Sequence, residues 1–140
     1  MASFNKFNSF VEALAEKKHD LGADTLKVLL TNSAPVATNT VKADLTEISA
    51  GNGYTAGGAT ASITSSSQTS GTYKLVLGDP ATWTASGGSI GPLRYAVLYN
   101  DTAANDELIG WWDYGSSITL AAGESFAVDF DPSTGVLTLA

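Results

Sequence analysis

The sequence Leu93-Arg-Tyr-Ala-Val-Leu-Tyr99 has the clearest strand pattern in the chain. Successive side chains of a strand point to opposite faces, so the odd-numbered residues are predicted to share one face and the even-numbered residues the other. Both sets are largely apolar, and Arg94 is the single charged residue. Because a strand that is apolar on both faces must be covered on both, the pattern predicts a central strand of a sheet.

Strand signals continue on the C-terminal side of this segment. Four further strands are predicted there, over residues 108–114, 117–120, 125–130 and 136–139. The connections 121–124 and 131–135 are short and contain glycine. We therefore expect them to join the last three strands as two hairpins.

On the N-terminal side the signals are weaker. Strands are predicted over residues 25–31, 73–77 and 81–84. Residues 59–72 are almost all small or hydroxylic, and they fit either a flexible linker or a hairpin of weak strands that turns near residues 65–68. The hairpin is favoured because hydroxylic residues alternate with apolar ones from Ala59 to Thr64.

One helical pattern occurs, near the N-terminus. Its apolar residues recur three or four positions apart, at Phe7, Phe10, Val11 and Leu14. Asn8 or Ser9 suits the N-cap, and Gly22 follows as a stop signal. The pattern predicts a helix over residues 8–18, inside an N-terminal arm of residues 1–22.

These elements predict an all-β protein. Many short strands with frequent turns and a single short helix are typical of an antiparallel β-sandwich, either a jelly roll or another sandwich topology. A length of 140 residues suits one domain spanning residues 1–140. The composition is 44% hydrophobic and 15% charged, which indicates a folded chain, and the absence of cysteine excludes disulfides and thiolate metal sites.

The net charge of −7 is concentrated in the last third of the chain. Residues 1–94 contain as many acids as bases, whereas residues 95–140 contain acids only: Asp101, Asp106, Glu107, Asp113, Glu124, Asp129 and Asp131. A folded surface of one negative sign repels nucleic acid and anionic membranes and favours cations or a basic protein. No apolar run is long enough to span a bilayer. The sequence therefore predicts neither nucleic acid nor membrane as a partner.

Residues with catalytic or metal-binding chemistry are few and scattered. His19 is the single histidine and has no recognisable nucleophile or orienting partner, so an exposed or capping role is predicted. Asp101, Asp106 and Glu107 share an oxygen-rich loop, but their spacing is not that of a calcium loop. Asp129 and Asp131 lack the features of a glycosidase pair. We predict a non-enzymatic protein with no catalytic residue, metal or cofactor.

Two adjacent tryptophans are the best candidates for an interface. Trp111 and Trp112 lie on one predicted strand, so their side chains point to opposite faces. One can fill the core, and the other meets solvent, a ligand or a partner, for which tryptophan is a favoured anchor. Stacking on a sugar is the alternative, and Trp83 has the same ambiguity.

Nearly the whole chain resembles a family of small virion proteins of tailed bacteriophages. The resemblance rests on Asn5–Phe7, Asp24–Thr31, Ala34-Pro35, Leu45–Ile48, Gly51–Tyr54, Gly57-Gly58, Leu93–Asp101, Leu108–Tyr114, Gly123 and Phe130. It implies a capsid cement or decoration protein, which clamps the outside of the major-capsid shell. On this basis we expect synthesis in the host cytoplasm and a final location on the outer capsid surface.

The resemblance also implies the partners. We expect contact with the major capsid protein and a symmetric homodimer, because twofold association is the commonest closed form. The candidate interface residues are Phe4, Phe7, Phe10, Trp111 and Trp112, although Phe4, Phe7 and Phe10 fit a helix packed on the sandwich equally well. Two alternatives remain: a phage neck or tail component, and a carbohydrate-binding β-sandwich module.

Overall fold

A computed structural model describes residues 2–140 of the chain. The described residues form one α-helix, α1 (Ser9–Ala15), one short 3-10 helix (Lys42–Asp44), and the strands β1 (Asn5–Lys6), β2 (Leu26–Thr31), β3 (Ala59–Ala61), β4 (Ile63–Thr69), β5 (Thr72–Leu77), β6 (Trp83–Thr84), β7 (Ile90–Asn100), β8 (Leu108–Leu120), β9 (Ser125–Phe126) and β10 (Leu137–Leu139). All strand pairs are antiparallel. The protein is therefore mostly β, as the sequence predicts.

The largest sheet has five strands in the order β1-β8-β7-β2-β3. Strand β7 lies in the middle, which confirms the prediction of a central strand. One face of β7 presents Val97 and Tyr99 to a small apolar cluster that includes Phe7. The other face presents Ala96 and Leu98 to the main core. Both faces are covered, as their apolar composition requires.

The prediction that Leu93 lies on the same face as Tyr95, Val97 and Tyr99 is wrong. Leu93 packs in the main core, with the even-numbered residues. The pairing with β8 is irregular at this point: Tyr95 is opposite Asp113, but Leu93 is opposite Ile118. Residues 114–117 of β8 therefore lie opposite the single residue Arg94 and form a bulge in β8.

Two smaller sheets complete the fold. One has the order β10-β5-β4, and the other pairs β6 with β9. The main apolar cluster combines residues from all three sheets, among them Leu30 of β2, Leu75 of β5, Trp83 of β6 and Leu137 of β10. No helix among residues 2–140 is long and apolar enough to cross a membrane.

Residues 59–72 form strands, so the linker interpretation is wrong. The predicted alternation is present, since Ala61 is buried whereas Thr60 and Ser62 are exposed. The hairpin turns at Ser70-Gly71, however, and not near residues 65–68, which lie within β4. Both turn residues have positive φ, 51° and 84°, which is the requirement of the two-residue turn that best matches strand twist.

The two predicted C-terminal hairpins are also wrong. Residues 117–120 continue β8. Strand β9 pairs with β6, and β10 pairs with β5, so each takes a partner distant in sequence. The short loops between them do turn the chain, but short-range signals carry no information about which strand lies beside which.

Helix α1 is shorter than predicted. It ends at Ala15 because Lys17 adopts a left-handed conformation with φ of 66°. The Lys18 N–H then donates to the Ala13 carbonyl at 2.8 Å, as in the left-handed termination that usually uses glycine. Gly22 therefore does not end the helix. Asn8 occupies the N-cap position but its side chain makes no capping hydrogen bond.

Candidate functional site: an aromatic groove

A groove of about 320 Å³ lies where β8 meets the segment that follows β9. We call it the aromatic groove. Its walls contain the rings of Phe4, Trp112, Tyr114, Phe126 and Phe130, and its charged residues are Arg94, Asp129 and Asp131. Large rings beside a few charged groups are typical of binding sites in proteins.

The rings form two groups of contacts. Trp112 lies between Phe4 and Phe130, with ring centroids 5.4 Å and 5.3 Å away. Tyr114 meets Phe126 edge-on at 5.5 Å. Tyr114 is 56% exposed, which is unusual for a large aromatic side chain, and Phe126 is half-buried. The groove therefore offers the exposed ring of Tyr114 beside three half-buried rings and the buried ring of Phe130.

A glycine permits the close packing at one end of the groove. The two residues of β1 pair with Trp111 and Gly110 of β8, which brings Phe4 over the sheet. A Cβ atom at position 110 would overlap the Phe4 ring. Gly110 is therefore needed for the approach of Phe4, and through it for the position of Trp112.

An ion pair fixes the bulge that projects Tyr114. Arg94 Nε donates to Asp113 Oδ1 at 2.8 Å, and Arg94 Nη2 donates to Oδ2 at 3.1 Å. Asp113 Oδ1 also accepts the Gly115 N–H at 2.8 Å. These hydrogen bonds lower the pKa of Asp113, and the pairing raises the pKa of Arg94. A bidentate pair at the base of the bulge holds its geometry more firmly than a single contact would.

Two carboxylates give the groove a negative side. Asp129 is exposed. Asp131 is half-buried, and its Oδ1 accepts the Ser133 N–H at 2.7 Å, a bond that lowers the pKa of Asp131. A glycosidase acid needs a raised pKa, so Asp131 is unsuited to that role. Both groups are suited to holding a positively charged ligand.

The structure separates the five predicted interface residues. Phe4 and Trp112 line the aromatic groove. Trp111 lies on the opposite face of β8, as its position in the strand predicts, and packs on Phe7 at 4.6 Å. Phe7 and Phe10 are 0% and 1% exposed within the chain's own core. In this conformation they therefore present no surface to a partner, as expected if this segment packs on the sheets.

His19 lies outside the aromatic groove. Its side chain is buried, so the predicted exposed position is wrong. It is 5% exposed, and its Nδ1 is 3.0 Å from Asn100 Nδ2. A wide depression of about 820 Å³ adjoins His19. Its lining includes positively and negatively charged side chains, among them Lys17 and Asp20. That depression is larger than the aromatic groove, but it is a mixed-charge surface with few aromatic groups. We therefore place the candidate site in the aromatic groove.

The acidic loop after β7 has structural contacts. Asp101 forms an ion pair with Lys27, with 3.3 Å between Asp101 Oδ2 and Lys27 Nζ. Glu107 Oε2 accepts the Asn105 N–H at 3.3 Å. Within residues 2–140 there is no group of three or more histidine, aspartate or glutamate side chains arranged to hold a metal ion.

Sequence reasoning missed Tyr114, Phe126, Phe130 and Arg94 as residues of the site. The alternation over residues 125–130 predicts one regular strand that contains Phe126 and Phe130, whereas the strand ends at Phe126. The available signal was the sequence Tyr114-Gly-Ser-Ser117, in which glycine and serine interrupt an apolar strand, as they do at bulges.

Comparison of the chain with protein-family models, with curated proteins and with solved structures finds no match.

Proposed function

We propose that the protein is a non-enzymatic virion structural protein that binds the outside of a phage capsid as a homodimer and stabilises the joints between major capsid subunits. The resemblance to small phage virion proteins supports this role. We propose further that the two larger sheets pack as a β-sandwich of jelly-roll type. Their shared apolar cluster supports that arrangement.

The observation that carries the proposal is the aromatic groove with its acidic side. Exposed aromatic rings are frequent anchors of protein interfaces. Asp129 and Asp131 lie beside these rings, within the part of the chain that contains acids and no bases. A basic segment of the shell surface would match both features: its apolar stems would cover the rings, and its charges would meet the carboxylates.

A cement function follows from where such a protein binds. A protein that binds the assembled shell, and not its separated subunits, stabilises the shell by mass action. Binding at many equivalent joints multiplies the effect, so the affinity of each site can be modest.

Co-sedimentation with expanded shells that lack the protein tests the proposal. The wild type is expected to bind saturably, at a fixed ratio to the major capsid protein. The change Tyr114→Ala is expected to weaken binding at least about tenfold, as loss of an interface anchor does. Val36→Ala is the matched control, because Val36 is 52% exposed and lies outside the groove.

Absence of binding by the folded wild type would contradict the cement role and would favour the neck or tail alternative. Saturable binding with equal losses for Tyr114→Ala and Val36→Ala would retain the role but reject the groove as its contact.

Carbohydrate binding is the second candidate, and the same groove favours it. Trp112, Tyr114 and Phe126 offer ring faces, and Asp129 and Arg94 are hydrogen-bonding groups of the kind that orient sugar hydroxyls. Titration with oligosaccharides, followed by tryptophan fluorescence, distinguishes the two. A saturable change that Trp112→Phe removes would support the module, whereas an unchanged spectrum across the series would reject it.

A further inference from the structure

Among the described residues, β4 is the longest strand that lies at the edge of a sheet. Its single neighbour is β5, at the edge of the sheet β10-β5-β4. The other edge strands are β1, β3 and β10, with two or three residues each, and β6 and β9 form a pair of two-residue strands. Proteins commonly limit edge-to-edge pairing by keeping edge strands short. Strand β4 has seven residues and departs from that rule.

The sequence of β4 also lacks the usual protection. It reads Ile63-Thr-Ser-Ser-Ser-Gln-Thr69, without charge and without proline. Charged residues and proline are the common means by which edges avoid pairing. A register irregularity occurs between Ile63 and Ser65, but the five residues Ser65–Thr69 pair regularly with β5.

The turn determines which backbone groups of β4 are unpaired. The two-residue turn Ser70-Gly71 makes Thr69 and Thr72 a hydrogen-bonded pair, and such pairs alternate with non-bonded ones along an antiparallel ladder. The N–H and C=O groups of Ser66 and Gln68 therefore point away from β5. Within residues 2–140 these groups have no backbone partner.

We infer that β4 pairs antiparallel with β4 of a second copy of the chain, about a twofold axis at Ser67. In that register Ser66 of one copy is opposite Gln68 of the other, and both pairs exchange two N–H···O bonds. The result is a continuous six-stranded sheet. A twofold interface must be self-complementary, and an uncharged strand with symmetric outward groups satisfies this.

The absence of charge on β4 is compatible with direct pairing of two copies of the strand. Two molecules of net charge −7 repel each other, but the excess acid lies in residues 95–140. Strand β4 itself carries no charge, and the nearest charged cross-strand residue is Lys74, opposite Ser67. The paired strands bury a small area, so we expect a dissociation constant of roughly 1–100 μM in free solution.

This inference rests on the homodimer of the proposed function and identifies β4 as its contact surface. It is tested on the free protein, without capsids. Sedimentation equilibrium over a concentration series is expected to show a monomer–dimer equilibrium of the 14.4 kDa chain. Gln68→Pro removes an outward N–H in both copies and leaves the bonds to β5 in place. We expect dimerisation about 30-fold weaker, the loss of two hydrogen bonds.

Two matched controls separate the edge from its surroundings. Gln68→Ala removes the same side chain, which accepts the Gly71 N–H, but retains the outward N–H, so it should dimerise like the wild type. Ser67→Glu places two carboxylates opposite each other across the axis and should also weaken the dimer. Thr138→Glu puts the same charge opposite the same Lys74, on β10, and should leave dimerisation unchanged.

A wild type that stays monomeric to about 1 mM would overturn the inference. Dimers that Gln68→Pro and Ser67→Glu leave intact, or open-ended polymers, would overturn it as well. Shell binding by a monomeric Ser67→Glu would show that loss of the dimer and loss of capsid recognition are separate results.

Discussion

At the residue scale, the hydroxyl of Tyr54 joins three separate segments. Tyr54 is 2% exposed, donates to Glu47 Oε1 at 2.6 Å and accepts the Leu30 N–H at 3.1 Å. Glu47 Oε1 also accepts the Gly57 N–H at 2.6 Å. Burial and the Glu47 hydrogen bond both raise the pKa of Tyr54, so the phenol stays protonated and can donate.

Removal of that hydroxyl leaves the buried Leu30 N–H without its acceptor and removes one of the two hydrogen bonds to Glu47 Oε1. We therefore expect Tyr54→Phe to lower the free energy of unfolding by about 1–3 kcal/mol, measured by urea denaturation. Tyr114→Phe is the control, because its hydroxyl belongs to an exposed ring, and it should change stability by less than about 0.5 kcal/mol. Equal effects of the two changes would show that the Tyr54 contacts contribute little.

The second argument at this scale concerns the protonation of His19. Asn100 Oδ1 accepts the N–H groups of Thr102 and Ala103, so the Asn100 Nδ2 is the donor toward His19 Nδ1 and toward Asp24. His19 Nδ1 must then be an acceptor, which requires a neutral ring. Burial lowers the pKa of His19, and this outweighs the opposite effects of Glu107 and Asp24.

A lowered pKa makes the folded protein less stable in acid. The neutral ring stabilises the fold fully above the unfolded pKa of about 6.5, and this contribution is lost as the pH falls from there through the lower, folded pKa. Thermal unfolding between pH 7.5 and 5 should show a declining Tm for the wild type and a flatter profile for His19→Gln. His19 is the single histidine, so parallel profiles would contradict the mechanism.

At the element scale, the pairing of β3 with β2 depends on Gly58. Its φ is 80°, and a Cβ atom there would overlap the carbonyl oxygen of Val28 in β2. We expect Gly58→Ala to cost at least about 3 kcal/mol of unfolding free energy, because the strand backbones would have to separate. Gly71→Ala is the control, because Gly71 has a similar φ of 84° but an added Cβ atom there would meet no neighbouring atom. We expect this change to lower the free energy of unfolding by about 1 kcal/mol. If the two changes lowered the free energy of unfolding equally, the cost would come from the positive φ alone and not from contact with β2.

The same scale shows what the sequence could predict. Strands β2, β5 and β7 were predictable because their apolar residues are consecutive in the chain and their periodicity is local. The pairing of β9 with β6 was not predictable, because it depends on how segments some forty residues apart share the core. The aromatic groove was missed for a related reason: Phe4, Tyr114 and Phe126 come from three separate segments, and no local pattern shows that these segments meet.

At the scale of the whole molecule, the uneven charge distribution predicts how binding responds to salt. If the acidic side of the aromatic groove meets a basic shell surface, the attraction is screened as ionic strength rises. The affinity for shells should fall roughly tenfold between 0.05 and 0.5 M NaCl, mainly through slower association. Co-sedimentation at several salt concentrations measures this.

The location of the effect is tested with two charge-neutralising changes of equal size. Asp129→Asn removes an exposed charge in the groove, and Glu16→Gln removes an exposed charge beside α1, within residues 1–94, where acids and bases balance. Asp129→Asn should weaken shell binding about two- to fivefold and reduce its salt dependence, whereas Glu16→Gln should do neither. If both changes act equally, the net charge and not the groove governs the attraction. If affinity rises with salt, the contact is apolar and the partner surface is not basic.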